Sequence, residues 1–329
     1  DDGTIVMYND GNGVDVVKHP VSDLWIPEMI FGRMRSSTNY DKTEKKIVGG
    51  KNGFGLKIVF IWSTVGSVET VDHTRGLKYV QAFNNNMADI LPPKITKCKT
   101  APYTRITFRP DYARMGIDGL TSDMISLFKR RAYDISAVTD KSIKVKYNAE
   151  LVPTKNFQEY VDLYIGTKSA APRVYESVSD RWEYAISLAP NHEFTQVSFV
   201  NGIYTGHGGK HVDYILNQIT RKMIRYIEQK KKVKVTASSI KEQIMLFVRC
   251  DIENPTFSGQ TKEYMDTLPQ HFGSTCEVSD KTIEKLAKMG IMSKSCALTE
   301  ITSTKVIART DGSKCKRVMV PKLVDANWA

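Results

Sequence analysis

The chain contains no run of apolar residues near the roughly 18 that a membrane-spanning helix needs, and no basic-then-apolar leader opens it. Its five cysteines, Cys98, Cys250, Cys276, Cys296 and Cys315, are scattered and form no C-x-x-C pair. A chain of 329 residues does not depend on covalent staples, so reduced thiols in an intracellular compartment are expected. Among the six histidines, His207 and His211 stand four apart, but "HGGKH" puts two glycines where a metal-binding helix would need helix formers and a catalytic Glu. No metal site built from the chain's own His and Cys is expected. Internal repeats and low-complexity blocks are also missing, which excludes a solenoid.

What is present suits a globular protein of about two domains. Apolar residues make up 41% and aromatics 9%, enough for real cores. The net charge of +11 points to an anionic partner, and its distribution is uneven. Between His207 and Lys241 stand nine Lys or Arg against two acids, Asp213 and Glu228.

Hydrophobic periodicity gives a mixed α and β order. "TRITFRP" (104–110) and "SIKVKY" (142–147) alternate as half-buried strands, and Leu120, Met124, Leu127 and Phe128 recur at helical spacing behind the capping candidates Thr121 and Ser122. "YIGTKSAAPRVYES" (164–177) is rich in small residues and has a proline, so a domain boundary is placed there, between residues 165 and 166. Beyond it, Trp182, Tyr184, Ile186 and Leu188 alternate as a strand, and "TQVSFVNGIYT" supplies another. Val212, Ile215, Leu216, Ile219, Met223, Tyr226 and Ile227 form one stripe of a long helix that runs into "QKKKVK". "IMLFVRCDI" (244–252) reads as a core strand, and Ser279 to Gly290 as a short helix with a serine cap and a glycine stop.

The chemistry concentrates in "KKIVGGKNGFGLK" (45–57). A triphosphate needs converging backbone N–H groups, glycines that let the backbone approach, and a cation, and this stretch has all three. It lacks the G-K-[ST] ending of a Walker A loop, so a plain glycine-rich turn is the competing reading. The following "LKIVFIW" reads from its β-branched residues as a buried strand. "YNDGNGV" (8–14) is an Asx-Gly turn whose Asn9 carbonyl or Asp10 carboxylate could accept the exocyclic amine of adenine, or it is only a β-turn. "SSTNYD" (36–41) offers hydroxyls and an amide to ribose or phosphate, with a helix cap as the default.

Taken together, "NDGNGV", "WIPEMIFGRMRSSTNYD", "EKKIVGGKNGFGLK", "KYVQ", "SFVNGIYTGHGGKHVDYI", "ENPTFSGQTKE" and "PKLVDAN" resemble the ATPase region and adjoining transducer of eukaryotic-type (type IIA) DNA topoisomerase II, over nearly the whole chain. The resemblance implies an α+β protein of two domains. The first, residues 1–165, would be a GHKL-type α/β sandwich lacking its N-terminal part, and the second, 166–329, a transducer with a left-handed βαβ crossover. Asn9 would bind the adenine amine with Asp10 beside it, and Ser37, Thr38 and Asn39 would contact ribose and phosphates. Gly50, Lys51, Asn52, Gly53, Phe54, Gly55, Leu56 and Lys57 would form the loop over the triphosphate. The same resemblance implies a helix from Leu56 onward, against the strand reading. "GQTKE" looks like the family's switch loop, in which Gln260 and Lys262, with Thr261 between them, reach the γ-phosphate. Without the family, Lys262 would read as a solvated surface charge.

Lys230, Lys231 and Lys232 match the loop that faces transported DNA, the bland alternative being a solvated basic face. No interleaved aromatics accompany them, so no sequence-specific reading is expected. The implied cofactors are ATP and Mg²⁺. The implied partners are double-stranded DNA, a second copy on ATP binding, and the DNA-cleavage core of the same polypeptide, with no membrane. The implied location is the nucleus, or a cytoplasmic replication site if the source is viral.

The pattern departs from the family in places. The general-base Glu and the Mg²⁺-binding Asn belong upstream of the N-D-G turn, and the abrupt start on "DDGTIVMYNDG" points to a missing upstream part. Lys51 stands where Arg is commoner, keeping charge without the planar fork, and Thr38 stands where Ser is commoner. The function implied is the ATP-binding and hydrolysing gate whose dimerisation and domain rotation couple to passage of a DNA duplex. The alternative is a catalytically inactive basic DNA-binding module of GHKL fold.

Overall fold

A computed structural model describes residues 2–37, 39, 44–50 and 52–300. Thr38 and Lys51 of the expected nucleotide site, Cys315 and the segment "PKLVDAN" lie outside the described residues. The chain divides into two compact units, Asp1–Arg130 and Arg131–Ala329.

The first unit is built on an antiparallel sheet of β1 (Ile5–Asn9), β2 (Ser63–Asp72), β3 (Leu77–Asn84), β4 (Asp89–Ile90), β5 (Lys94–Lys97) and β6 (Thr104–Pro110). Its order is β1-β6-β2-β3-β4, with β5 also on β3. Helices α1 (Ile26–Gly32) and α2 (Gly55–Ile61) pack on it through Phe31 and Phe60, which meet Val68 and Phe83 in one buried cluster. The Phe60 and Phe83 rings stack with centroids 5.0 Å apart.

The strand expected over "LKIVFIW" is therefore helix α2, as the resemblance implied. Local β-propensity lost to burial at helical spacing. Lys57 and Phe60, three apart, fall on one face and are the buried residues of the helix. A short helix, α3 (Tyr112–Met115), is capped by Asp111, which accepts from the Arg114 N–H.

Helix α4 (Ser122–Val138) spans the division, and its first turn is held by Thr121, whose hydroxyl accepts from Met124 at 3.2 Å. The expected apolar stripe at its start is not a core face, since Leu127 stays exposed. The buried positions come later, at Ala132, Asp134, Ser136 and Ala137.

In the second unit "SIKVKY" pairs only at β7 (Lys146–Tyr147) with β8 (Glu150–Leu151). The main sheet combines β9 (Arg173–Ser179), β10 (Trp182–Leu188), β11 (Thr195–Val200), β12 (Ile203–Tyr204) and β13 (Ile244–Cys250) in the order β12-β11-β13-β10-β9. Strands β11 and β13 are parallel neighbours, and the crossover between them carries α6 (Lys210–Lys231) and α7 (Ala237–Lys241).

Both faces of β13 are covered, which is why it reads as an unbroken apolar run. Ile244, Leu246 and Val248 face the α6 side together with Ile215, Ile219 and Met223. Met245 and Phe247 face the other side, against Phe157, Tyr160 and Val161 of α5 (Phe157–Ile165). Helix α8 (Asp280–Lys288) begins at Ser279, which accepts from the Thr282 N–H as the sequence suggested.

The division at Arg130 falls earlier than the boundary expected at 165/166 because Ala137 and α5 belong to this second core. The soft stretch is instead a loop inside the unit. Arg173 closes it, paired with Asp162 and donating to the carbonyls of Gly166 and Ala171.

Candidate functional site

Two of the three stretches singled out from the sequence are bound directly to each other. Asn39 donates from Nδ2 to the Gly50 carbonyl at 2.7 Å, and its own N–H goes to the Ser37 hydroxyl at 3.1 Å. The Ser36 backbone is gripped from the other side, where Lys57 Nζ lies 3.4 Å from its carbonyl oxygen. Gly53 has φ +63°, and a Cβ there would come within 2.4 Å of the same oxygen, so a side chain is excluded on both counts. Gly50 and Gly55, by contrast, face open space. The strip 36–39 thus lies across the glycine loop, with the loop's open glycines left for a ligand to approach.

Lys57 is 4% exposed, and burial lowers the pKa of its ammonium. A buried cation on the edge of a glycine loop is poised for a phosphate, which would return the interactions lost on leaving water.

The third stretch joins through the core. Val14, at the exit of the N-D-G-N-G turn, and Leu56, at the exit of the glycine loop, both pack against the Phe31, Phe60 and Phe83 cluster. Within the turn Asn9 Oδ1 accepts from the Gly11 N–H at 3.2 Å, which orients the side chain and leaves the second lone pair of its carbonyl. Asp10 is exposed beside it, with no partner among the described residues.

No three His, Cys, Asp or Glu side chains among the described residues come together as a metal would require. The residues described do not fit Mg²⁺ on their own.

In the second unit, the loop bearing Gln260, Thr261 and Lys262 folds back on itself, with Ser258 N–H to the Tyr264 carbonyl at 3.1 Å and Lys262 N–H to that of Gly259 at 3.2 Å. Gln260 and Thr261 are exposed, while Lys262 is partly buried in a left-handed conformation, φ +60°, and burial lowers its pKa.

The loop is docked on the residues that lead into α6. His207 N–H meets the Glu263 carbonyl at 2.9 Å, and Met265, fully buried, exchanges bonds with Gly208 and Lys210 at 3.1 and 2.9 Å. Gly209, at φ +140°, leaves no room for a Cβ, which would lie 2.2 Å from the Met265 oxygen. The second glycine of "HGGKH", unexplained from sequence, serves this close backbone approach.

Helix α6 extends 22 residues, about 33 Å at 1.5 Å per residue, from this docking point to Lys230 and Lys231. Lys232 ends it in a left-handed cap, and all three lysines are exposed.

His211, at the start of α6, is fully buried, its Nε2 3.2 Å from the Thr205 hydroxyl and its Nδ1 without a partner. Burial lowers its pKa to about 3. An unfolded histidine binds its proton near pH 6.5, so between those values the unfolded chain holds one proton more. Its contribution to stability is complete above about pH 6.5 and is lost as pH falls toward about 3, with a slope up to about 1.4 kcal/mol per pH unit. Thermal melts of a His211→Asn variant should show a flatter dependence on pH between about 4 and 6 than the parent; parallel curves would contradict the assignment.

The family model described as DNA gyrase B matches residues 147–302. DNA topoisomerase 2 of Arabidopsis thaliana is 40% identical over 98% of this chain, which spans only 22% of that protein's length. The crystal structure of the ATPase region of Saccharomyces cerevisiae topoisomerase II superposes with TM-score 0.84 at 40% identity, covering 89% of this chain and 76% of that one. The ATPase and transducer domains of DNA topoisomerase II from Balamuthia mandrillaris give TM-score 0.87 at 37% identity, over 92% of this chain and 78% of that one.

Proposed function

The chain belongs to the DNA topoisomerase II family, and from that premise we propose that it is the nucleotide-operated gate of such an enzyme, binding ATP, pairing with a second copy when ATP is bound, and so admitting or trapping a DNA duplex. What supports the nucleotide site most directly is the strip Ser36–Asn39 lying across the glycine loop, held by Asn39, Gly53 and Lys57.

In this reading Gly50, Asn52, Gly53, Phe54, Gly55 and Leu56 present backbone to the phosphates, Lys57 supplies charge, and Ser37 and Asn39 meet ribose or phosphate. Thr38 and Lys51, outside the described residues, keep the same assigned roles. Asn9 takes the adenine amine with Asp10 beside it, the second lone pair of the Asn9 carbonyl remaining available after its bond from Gly11. Gln260 and Lys262 contact the γ-phosphate, with Thr261 shaping the loop. Loss of that phosphate releases the loop, the general logic of a γ-phosphate switch. Hydrolysis draws on the Glu that the resemblance places ahead of the N-D-G turn, and Mg²⁺ would arrive with the nucleotide.

Calorimetry with a non-hydrolysable ATP analogue tests the site. Saturable one-to-one binding is expected, and no heat with either the analogue or ADP would remove the proposal.

Duplex DNA is the proposed partner of Lys230, Lys231 and Lys232, at the nucleus or a viral replication site. Replacing all three by Ala should weaken DNA binding evenly across sequences and lower the slope of log affinity against log salt by about 2 to 3, since each phosphate contact contributes about 0.9. An unchanged slope would mean that these lysines are only a solvated face.

An inactive basic module of the same fold is not favoured, because the solved relatives at this identity are ATPase regions.

A further inference from the structure

Strand β2 is central in its sheet, and Thr70 pairs with both Tyr79 of β3 and Thr104 of β6. The Val71 N–H is likewise taken, by the Tyr103 carbonyl at 3.0 Å. A strand flanked on both edges has few backbone groups left to hold a loop that crosses its face. Only side chains can do so.

Residues 13 to 16, which leave the N-D-G-N-G turn, cross β2 in this way, and three consecutive β2 residues receive them. The Thr70 hydroxyl accepts from the Val14 N–H at 2.9 Å while it donates to the Tyr103 carbonyl at 3.1 Å. The Val71 carbonyl fills the place of a Cβ on residue 13, which would lie 2.0 Å away, so Gly13 at φ +75° is required. Asp72, 3% exposed, accepts from the Val16 N–H at 2.9 Å. Its charge is met by Arg75, whose Nη1 lies 2.8 Å from Asp72 and 2.9 Å from Asp15 of the crossing segment. The turn that carries Asp10 is exposed, yet its exit is fastened at three successive points.

We propose that Thr70 and Asp72 are positioning residues for recognition of the nucleobase: they touch no ligand, but fix the exit of the turn and thereby where Asn9 and Asp10 point. The inference rests on the reading of that turn as the adenine contact. Thr70 also bonds Tyr103 and Thr104, and Asp72 also bonds Arg75, but each gives one acceptor to this segment, which a purely sheet-stabilising role would not require. The glycine loop and Lys57 do not depend on these bonds, so the phosphates should not feel their loss.

Affinities for ATP and for inorganic tripolyphosphate, measured by calorimetry on the full chain, separate the two contributions. Thr70→Val and Asp72→Ala should each lose about tenfold in ATP affinity, the size of one lost hydrogen bond that orients a charged contact, with tripolyphosphate unchanged within about twofold. Thr70→Ser and Asp72→Asn, which keep the acceptor, should recover most of the loss. Thr70→Val preserves side-chain shape, so it carries the test even if Asp72→Ala does not fold. Equal losses for ATP and tripolyphosphate, or no loss for either, would overturn the positioning role. If the parent chain binds ATP no more tightly than tripolyphosphate, the turn does not read a base, and both this inference and the adenine assignment fail.

Discussion

Lys262→Ala is expected to weaken nucleotide-dependent pairing of two copies by about ten- to a hundredfold while leaving the affinity for an ATP analogue within about threefold of the parent. A charge-assisted contact contributes about 1.5–3 kcal/mol, so a Lys262 tether to the γ-phosphate would shift the pairing equilibrium by about one to two powers of ten. The proposed phosphate site, held by Asn39, Gly53 and Lys57, does not include Lys262. The structure adds a reason why the effect should be mechanical as well as electrostatic. The Lys262 loop is docked through Met265 onto the residues that start α6, and the far end of that helix carries Lys230 and Lys231. Paired sedimentation and calorimetry runs measure both quantities. Equal losses of pairing and of binding would refute the tether.

The second large effect is expected at Lys57. Lys57→Met keeps the aliphatic stem in its buried seat on α2 but removes the charge, and should weaken ATP binding by about ten- to a hundredfold, the range for a hydrogen bond to a charged group. Burial lowers the Lys57 pKa, so its ammonium gives up its proton below the usual lysine range. Affinity for the triphosphate should therefore decline as pH rises, beginning earlier than for an exposed lysine, and the decline should vanish in Lys57→Met. A variant that binds as tightly as the parent, or whose pH profile matches it, would place the cation for the phosphates elsewhere.

The sequence made the second unit more legible than the first. The unbroken apolar run of β13 and the periodic stripe of α6 are plain in the sequence, and Ser279 and Thr121 announce helix starts by side-chain chemistry that acts locally. The misreadings have nonlocal causes. "LKIVFIW" is strand-like by composition, yet Phe60 is wanted against Phe83, twenty-three residues away in sequence and on another strand, and that contact decides for helix. The boundary at 165/166 rests on clustered small residues, and the packing of α5 on the second sheet through Phe157 and Tyr160 is a burial no composition window reports.

For the site, the glycine loop, the N-D-G turn and the QTK loop were visible as motifs. The parts that hold them were not. Thr70 and Asp72 are single polar residues inside a strand, and the second glycine of "HGGKH" gains meaning only when Met265 is seen against it.

The most direct test of the gate is the mass of this chain in solution, by sedimentation equilibrium, with ADP and then with a non-hydrolysable ATP analogue, alongside calorimetric proof that each is bound. One copy is expected with ADP and two with the analogue. Bound analogue with the mass of a single copy would contradict it.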